Sequence, residues 1–161
     1  MAKRPVLILG CGYTGQRVAR KLLAQGELVV ATSPRPELLE PLAALGQDIR
    51  RLNVLEPETI EAALRDLPAG IRVLHSIPVI EGPAGWFDPT PQLLQALGDR
   101  PVRIVYLSTT GVYGSAQQVD ETTPPNPEHP REQLRLAAER AVASVSYSWL
   151  VLRCPALYGP G

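Results

Sequence analysis

Short apolar runs alternate along this chain with segments in which apolar residues recur at helical spacing. The first run, residues 6–9, lies between Pro5 and Gly10 and is typical of a strand buried on both faces of a parallel sheet. After it, Val18, Leu22 and Leu23 recur at helical spacing up to Gly26. The same alternation predicts further strands at 28–31, 48–52, 71–74, 102–107 and 148–152, and helices at 37–45, 57–67, 90–97 and 131–145. We therefore predict an α/β fold: a doubly wound parallel sheet of about six strands with helices on both faces.

The segment between the fourth and fifth strands breaks this regular pattern. Residues 78–91 are rich in proline and glycine, and only residues 90–97 have helical spacing. We predict a crossover that is part loop and part helix, with the loop available to face a ligand.

Composition limits the number of domains and the classes of partner. A chain of 161 residues, 45% of them hydrophobic, can bury one core, so residues 1–161 are expected to form one domain. The 16 basic residues balance the 16 acidic ones, which argues against nucleic acid or an anionic membrane as partner. Cys11 and Cys154 lack metal-ligand spacing, so no metal site is expected. The apolar run near Met1 is too short for a signal peptide. No continuous apolar stretch approaches the ~20 residues that a membrane-spanning helix needs. A cytoplasmic protein is therefore expected.

A glycine motif follows the first strand and opens the first helix. Gly10 permits a tight turn, Gly12 lets a diphosphate approach the backbone, and Gly15 lets the helix pack close to the strand. Free N–H groups near Tyr13 and Thr14 favour an anion. This context predicts a Rossmann-type site for NAD or NADP; a glycine-rich turn without a ligand is the alternative.

The end of the second strand bears on the choice of cofactor. An NAD site would place an acidic residue there, whereas this chain has Ser33 and Arg35, which suit a 2′-phosphate. We predict NADP in preference to NAD, the alternative being that Arg35 is a solvated loop residue. Asn53 after the third strand is a candidate contact for adenine, or a cap for the next turn. His75 ends the fourth strand near the expected ribose and nicotinamide and is a candidate contact for the cofactor, although a histidine hydrogen-bonded at a strand terminus is the preferred interpretation.

The segment 106–114, Tyr-Leu-Ser-Thr-Thr-Gly-Val-Tyr-Gly, closely resembles the strand-end motif of the extended short-chain dehydrogenase/reductases, the NAD-dependent epimerases, dehydratases and reductases. The glycine turn and the segment 153–161 resemble further motifs of that family, in the same order. The resemblance implies that Thr109 hydrogen-bonds the reacting oxygen of a substrate, with Ser108 beside it near the cofactor. A row of hydroxyls that satisfies backbone groups at the strand end is the alternative.

The chain departs from that family at its Tyr-x-x-x-Lys pair. Alignment of the last helix puts Arg131 at the tyrosine place and Arg135 at the lysine place, and no lysine follows Lys21. Arg135 is predicted to contact ribose hydroxyls, but an arginine at 131 cannot exchange protons near neutral pH. Catalysis would then rely on Thr109, Tyr113 or a water molecule. This combination resembles the atypical branch of the family.

Length is the second departure, because extended members continue into a smaller substrate-binding lobe. The chain is expected to be a fragment of a longer protein, or a cofactor domain that a partner completes, and its apolar sixth strand could support a homo-oligomer. Three functions stay open: hydride transfer on a small molecule, such as one resembling a sugar nucleotide; a non-catalytic protein that senses cofactor level or redox state; and a structural module without ligand.

Overall fold

Six parallel strands form the main sheet of the computed structural model, which describes residues 3–159. The strands of the chain are β1 (Val6–Leu9), β2 (Val29–Ser33), β3 (Asp48–Arg51), β4 (Ile71–His75), β5 (Ile80–Gly82), β6 (Gly85–Phe87), β7 (Pro101–Thr109) and β8 (Ser148–Cys154). In space the main sheet runs β3-β2-β1-β4-β7-β8. This order confirms the predicted doubly wound sheet.

Helices cover both faces of the sheet. They are α1 (Tyr13–Ala24), α2 (Glu40–Ala43), α3 (Pro57–Leu64), α4 (Thr90–Leu97) and α5 (Pro130–Ala143), with 3₁₀ helices at Pro36–Leu39 and Thr110–Tyr113. Apolar residues of α3, α4 and α5 pack with Leu7 and Leu9 of β1 on one face. Those of α1 and α2 pack with Ile8 on the other. Because successive side chains of a strand point to opposite faces, the unbroken apolar run of β1 serves both cores.

The chain changes direction across the sheet between β1 and β4. From β1 it winds outward through β2 to β3, and from β3 it returns to the other side of β1 to form β4. The loops at the carboxyl ends of β1 and β4 therefore diverge and leave a crevice, which is where open α/β sheets bind ligands.

Two predictions about individual elements were wrong in detail. The helix expected at 37–45 is a 3₁₀ helix followed by a single turn of α-helix, with prolines at positions 36 and 41. Within the crossover loop, β5 and β6 form an antiparallel hairpin that we had not predicted. Each of its strands has three residues, too few for a periodic pattern to be recognised.

The outer edge of the sheet exposes apolar side chains. On β8, Trp149, Leu150 and Leu152 are 45%, 38% and 41% exposed.

None of the helices within residues 3–159 has the length and apolar character that crossing a bilayer requires.

Candidate functional site

The glycine turn lies in the crevice between β1 and β4, and its three glycines meet different surroundings. Gly10 has a φ of +77°, and a Cβ there would lie 2.7 Å from Ile77 Cγ1. A Cβ on Gly15 would lie 3.1 Å from Ile8 Cγ2 and 3.2 Å from the carbonyl oxygen of Gly10. The first glycine is therefore required by the turn and the third by close packing of α1 on β1.

Gly12, the N-cap of α1, is different, because a side chain there would meet no steric conflict. Its φ is −83°, and a Cβ would meet no atom of the described chain within 4 Å. The open space lies at the start of α1, in a cavity that Tyr13 and Thr14 also line. This is the geometry that a diphosphate needs for a close approach to backbone donors.

Two hydroxyl groups, those of Thr32 and Ser76, hold the turn in place. Thr32 Oγ1 donates to the carbonyl of Ile8 and accepts from the N–H of Gly10, at 3.1 and 3.2 Å. Ser76 Oγ donates to the carbonyl of Gly10 at 2.6 Å and lines the crevice on both sides of the turn. Both lie at the carboxyl ends of the strands that flank β1.

A cavity of about 310 Å³ extends from the glycine turn towards the end of β2. Its lining residues include Gln16, Ser33, Arg35, Asn53 and Ser76, and none of them is acidic. Ser33 Oγ bonds to the N–H and carbonyl of Arg35, both at 3.1 Å, which shapes the loop and leaves the Arg35 side chain exposed. The predicted Ser33 and Arg35 thus lie together at one wall.

Asn53 lies at this cavity but its amide is already bonded. Its Nδ2 donates to Glu56 Oε1 at 2.7 Å, and its Oδ1 accepts from the N–H of Leu55 at 3.1 Å. The structure therefore favours the capping role of Asn53 over the adenine contact.

A second cavity, of about 210 Å³, lies on the other side of the glycine turn, towards β7. Gly10, Gly12 and Ser76 line both cavities, while Thr14, Ser108 and Cys154 line only this one. The two cavities therefore form one groove that crosses the glycine turn. An elongated ligand would lie across the carboxyl ends of the strands.

A third cavity, of about 290 Å³, contains Thr109 at the end of β7. Arg131, Glu132 and Arg135 from α5 line it together with Val79 and Gly111. Thr109 Oγ1 accepts from the N–H of Gly111 at 3.1 Å, and within residues 3–159 its hydroxyl hydrogen has no acceptor, so it can be donated to a ligand. Thr109 and the two arginines are therefore brought together as the resemblance implied.

His75 does not reach the site, which corrects its predicted contact with the cofactor. Its side chain is fully buried: Nε2 lies 2.8 Å from Thr90 Oγ1, and Nδ1 accepts from the N–H of Ile77 at 3.4 Å. Since the Thr90 hydroxyl donates to Asp88, His75 must donate from Nε2 and is neutral. Burial, aided by the nearby charge of Arg135, lowers the pKa of His75 to about 3. It is a structural histidine.

Arg135 is also bonded to groups in the core, and this arrangement does not support its predicted contact with ribose hydroxyls. Its Nη1 donates to the hydroxyl of Tyr106 and to the carbonyl of Ile77, and lies 3.5 Å from Asp88 Oδ2. Only 9% of its side chain is exposed. Arg131 instead is exposed, with its guanidinium 5.4 Å from the ring centroid of Trp86.

Tyr113 and Ser108 join a separate polar cluster, which removes Tyr113 as a catalytic candidate. Arg153 Nη1 donates to the hydroxyl of Tyr113 at 2.9 Å, and Arg153 Nη2 lies 2.7 Å from Glu139 Oε2. Ser108 Oγ donates to Glu139 Oε1 at 2.5 Å. Tyr113 lines a different cavity from Thr109, a broad one of about 810 Å³ between α5 and β8. Sequence reasoning missed Glu139, although a carboxylate beside Ala138 on the buried face of α5 signals a partner.

The comparisons with known proteins agree with this geometry. The model of the NAD dependent epimerase/dehydratase family matches residues 6–161. Over 131 residues the chain is 33% identical to protein YeeZ of Escherichia coli K12; this alignment covers 77% of the chain and 47% of YeeZ.

Two solved structures have similar folds. A functionally unknown conserved protein from Silicibacter pomeroyi is 30% identical with a TM-score of 0.75, over 98% of this chain and 54% of that one. UDP-glucuronic acid 4-epimerase from Bacillus cereus, solved with NAD, has a TM-score of 0.77 at 22% identity, over 97% of this chain and 57% of that one. The chain thus spans about half the length of these relatives. From the match over residues 6–161, we conclude that the chain belongs to the NAD dependent epimerase/dehydratase family.

Proposed function

We propose that the chain binds NADP along the groove over its glycine turn, as the cofactor domain of an oxidoreductase of the short-chain dehydrogenase/reductase type. The observation that carries the proposal is the open space at Gly12, where an added Cβ would meet no atom of the described chain within 4 Å. Cavities of about 310 and 210 Å³ meet at that space, which suits the two nucleotide halves of a dinucleotide.

The preference for NADP rests on the charges at the cavity near β2. No acidic residue lines it, so a ribose 2′-hydroxyl has no carboxylate to bind. Arg35 lines the same cavity, and within residues 3–159 its guanidinium has no carboxylate partner within 4 Å. A 2′-phosphate would supply that partner through charge-assisted hydrogen bonds.

In the reaction we propose, the nicotinamide supplies hydride transfer at a carbon that bears a hydroxyl or carbonyl group. Thr109 would donate a hydrogen bond to the substrate oxygen, since its hydroxyl hydrogen is free. Arg131 occupies the place of the family's acid–base tyrosine, and a guanidinium does not serve as the general acid or base of such a reaction. The proton must therefore pass between the substrate oxygen and water.

A second candidate is a non-catalytic protein that senses the redox state of its cofactor. It is favoured because, among the described residues, no acid–base side chain beside Thr109 is free: Glu132 accepts from the backbone at the start of α5, and Tyr113 lies at another cavity. A sensor would have to discriminate between NADPH and NADP⁺ by at least about tenfold in Kd, whereas a cofactor domain for reversible chemistry has no such requirement.

Calorimetric titration with NADPH and with NADH tests the cofactor proposal. The chain should bind NADPH at least about tenfold more tightly, the value of one charge-assisted contact. Arg35→Ala should lower NADPH affinity to the NADH level and leave NADH binding unchanged. Arg140→Ala, which removes an exposed arginine at the distant cavity of α5, is the matched control and should change neither. Binding of neither cofactor to the wild-type chain would refute the proposal.

A further inference from the structure

The cavity that contains Thr109 is small and has one apolar wall, while its other lining residues carry polar groups. We call it the Arg131 cleft, lined by Val79, Thr109, Gly111, Arg131, Glu132 and Arg135. Its volume of about 290 Å³ is at the lower end for small-molecule sites. Val79 and Gly111 give it an apolar wall, and the other four residues give it polar groups.

Two of the three charged groups in the cleft already have partners. Arg135 lies 3.5 Å from Asp88 and donates to Tyr106 and Ile77. Glu132 Oε2 accepts from the N–H groups of Glu128 and His129, at 2.9 and 3.1 Å. These hydrogen bonds hold the pKa of Glu132 below its usual value, so its carboxylate stays ionised and directed at the start of α5.

Arg131 is the charged group that is left without an ionic partner in the part of the chain that the structure describes. No carboxylate lies within 4 Å of its guanidinium, although Glu132 is its neighbour in sequence. Its guanidinium carbon lies over the ring of Trp86 on the β5–β6 hairpin, 5.4 Å from the ring centroid. A ring contact restricts the guanidinium without using its N–H donors.

A single guanidinium with free N–H groups matches one kind of ligand well. A carboxylate is planar and accepts two parallel hydrogen bonds from an arginine fork. A phosphate dianion is neutralised better by several cations, and the second arginine of the cleft is already paired with Asp88. The apolar wall at Val79 suits a short carbon chain attached to the carboxylate.

We propose that the Arg131 cleft is a carboxylate subsite, and that the substrate is a small organic acid whose carboxylate is held by Arg131 while its oxygen faces Thr109. This inference rests on the proposed function, because it assigns the substrate class of that site. It also explains why arginine occupies the place of the family's tyrosine: the position binds the substrate and does not move a proton.

Calorimetry with pyruvate as the probe, on the full chain with and without saturating NADPH, tests the inference. Methyl pyruvate lacks the charge but keeps the carbonyl, and inorganic phosphate tests the other anion chemistry. Arg131→Gln removes the charge from an exposed side chain, and Arg140→Gln removes one from elsewhere on the same helix. Urea unfolding of both variants checks that the fold is retained.

The inference predicts that pyruvate binds the wild-type chain and the Arg140→Gln variant, and that Arg131→Gln weakens this binding at least about tenfold. Methyl pyruvate should bind no variant measurably, and NADPH affinity should be the same in all three proteins. Pyruvate affinity that survives in Arg131→Gln would overturn the inference, as would tighter binding of phosphate than of pyruvate, or no pyruvate binding by the wild-type chain. Failure of the NADPH titration alone would instead contradict the proposed function.

Discussion

Alanine substitutions at the three glycines of the turn should separate ligand binding from folding. The three positions differ in what an added Cβ would meet. At Gly12 it meets nothing within 4 Å, at Gly15 it meets Ile8 Cγ2 at 3.1 Å, and at Gly10 it meets Ile77 Cγ1 at 2.7 Å. Only Gly10 has a positive φ, of +77°. The series therefore runs from free space to steric conflict.

The magnitudes follow from these surroundings. Gly12→Ala should change the free energy of unfolding by less than about 1 kcal/mol, since φ is −83° and no contact tightens. Gly15→Ala gains up to ~1 kcal/mol in helix propensity but overpacks the contact of α1 with β1, for a net loss of about 1 kcal/mol. Gly10→Ala combines a left-handed backbone with a clash and should lose about 2 kcal/mol or more.

Binding of NADPH should follow a different order. The methyl group of Gly12→Ala occupies the space where a diphosphate would approach the N–H groups at the start of α1. Loss of one such charge-assisted bond weakens binding by about 1.5–3 kcal/mol, or roughly 10- to 150-fold. Gly12→Ala should therefore be the variant that loses affinity while it keeps its stability.

Urea unfolding without ligand and calorimetry with NADPH measure the two quantities on the same protein samples. Gly15→Ala serves as the control, because it perturbs the same turn through protein packing. If Gly12→Ala binds NADPH as tightly as the wild-type chain does, the diphosphate does not lie over this turn. If Gly12→Ala unfolds as readily as Gly10→Ala, a Cβ at position 12 conflicts with the folded chain, which contradicts the open space there.

Three further predictions concern buried polar groups. Because the folded-state pKa of His75 is about 3, below its usual 6.5, the unfolded chain takes up the proton first as the pH falls. The free energy of unfolding should thus decrease as the pH falls below about 6.5, by up to about 1.4 kcal/mol per pH unit. In His75→Asn, the free energy of unfolding measured with urea should depend less on pH between about pH 6 and 5. Glu139→Gln should lose about 2–3 kcal/mol, since its buried carboxylate lies 2.7 Å from Arg153, and a loss under about 0.5 kcal/mol would contradict this role. Burial raises the pKa of the Cys11 thiol to about 11. A thiol reagent at about pH 8 should therefore label only Cys154 in the folded chain, and Cys11 should react once urea is added. Rapid labelling of Cys11 in the native chain would show that the turn opens.

The site was only partly predictable from sequence. The glycine turn and Thr109 could be singled out from sequence because their residues are contiguous or belong to a motif, and the structure places both beside cavities at the carboxyl ends of the strands. His75, Arg135 and Tyr113 were misassigned because sequence position places a residue at a strand end or on a helix but does not say which way its side chain points. In each case the structure shows a hydrogen-bond partner that lies 15 or more residues away in sequence, such as Thr90 for His75.

By itself the sequence determined the order of the six strands of the main sheet with their helices, and the position of the glycine turn. These features depend on local periodicity and on glycines close together in the chain, and such patterns are written in consecutive residues. Only the tertiary structure decided which polar side chains reach the groove and which are used in the core. That choice depends on partners distant in sequence, because every buried polar group must find a hydrogen-bond partner wherever the fold places one.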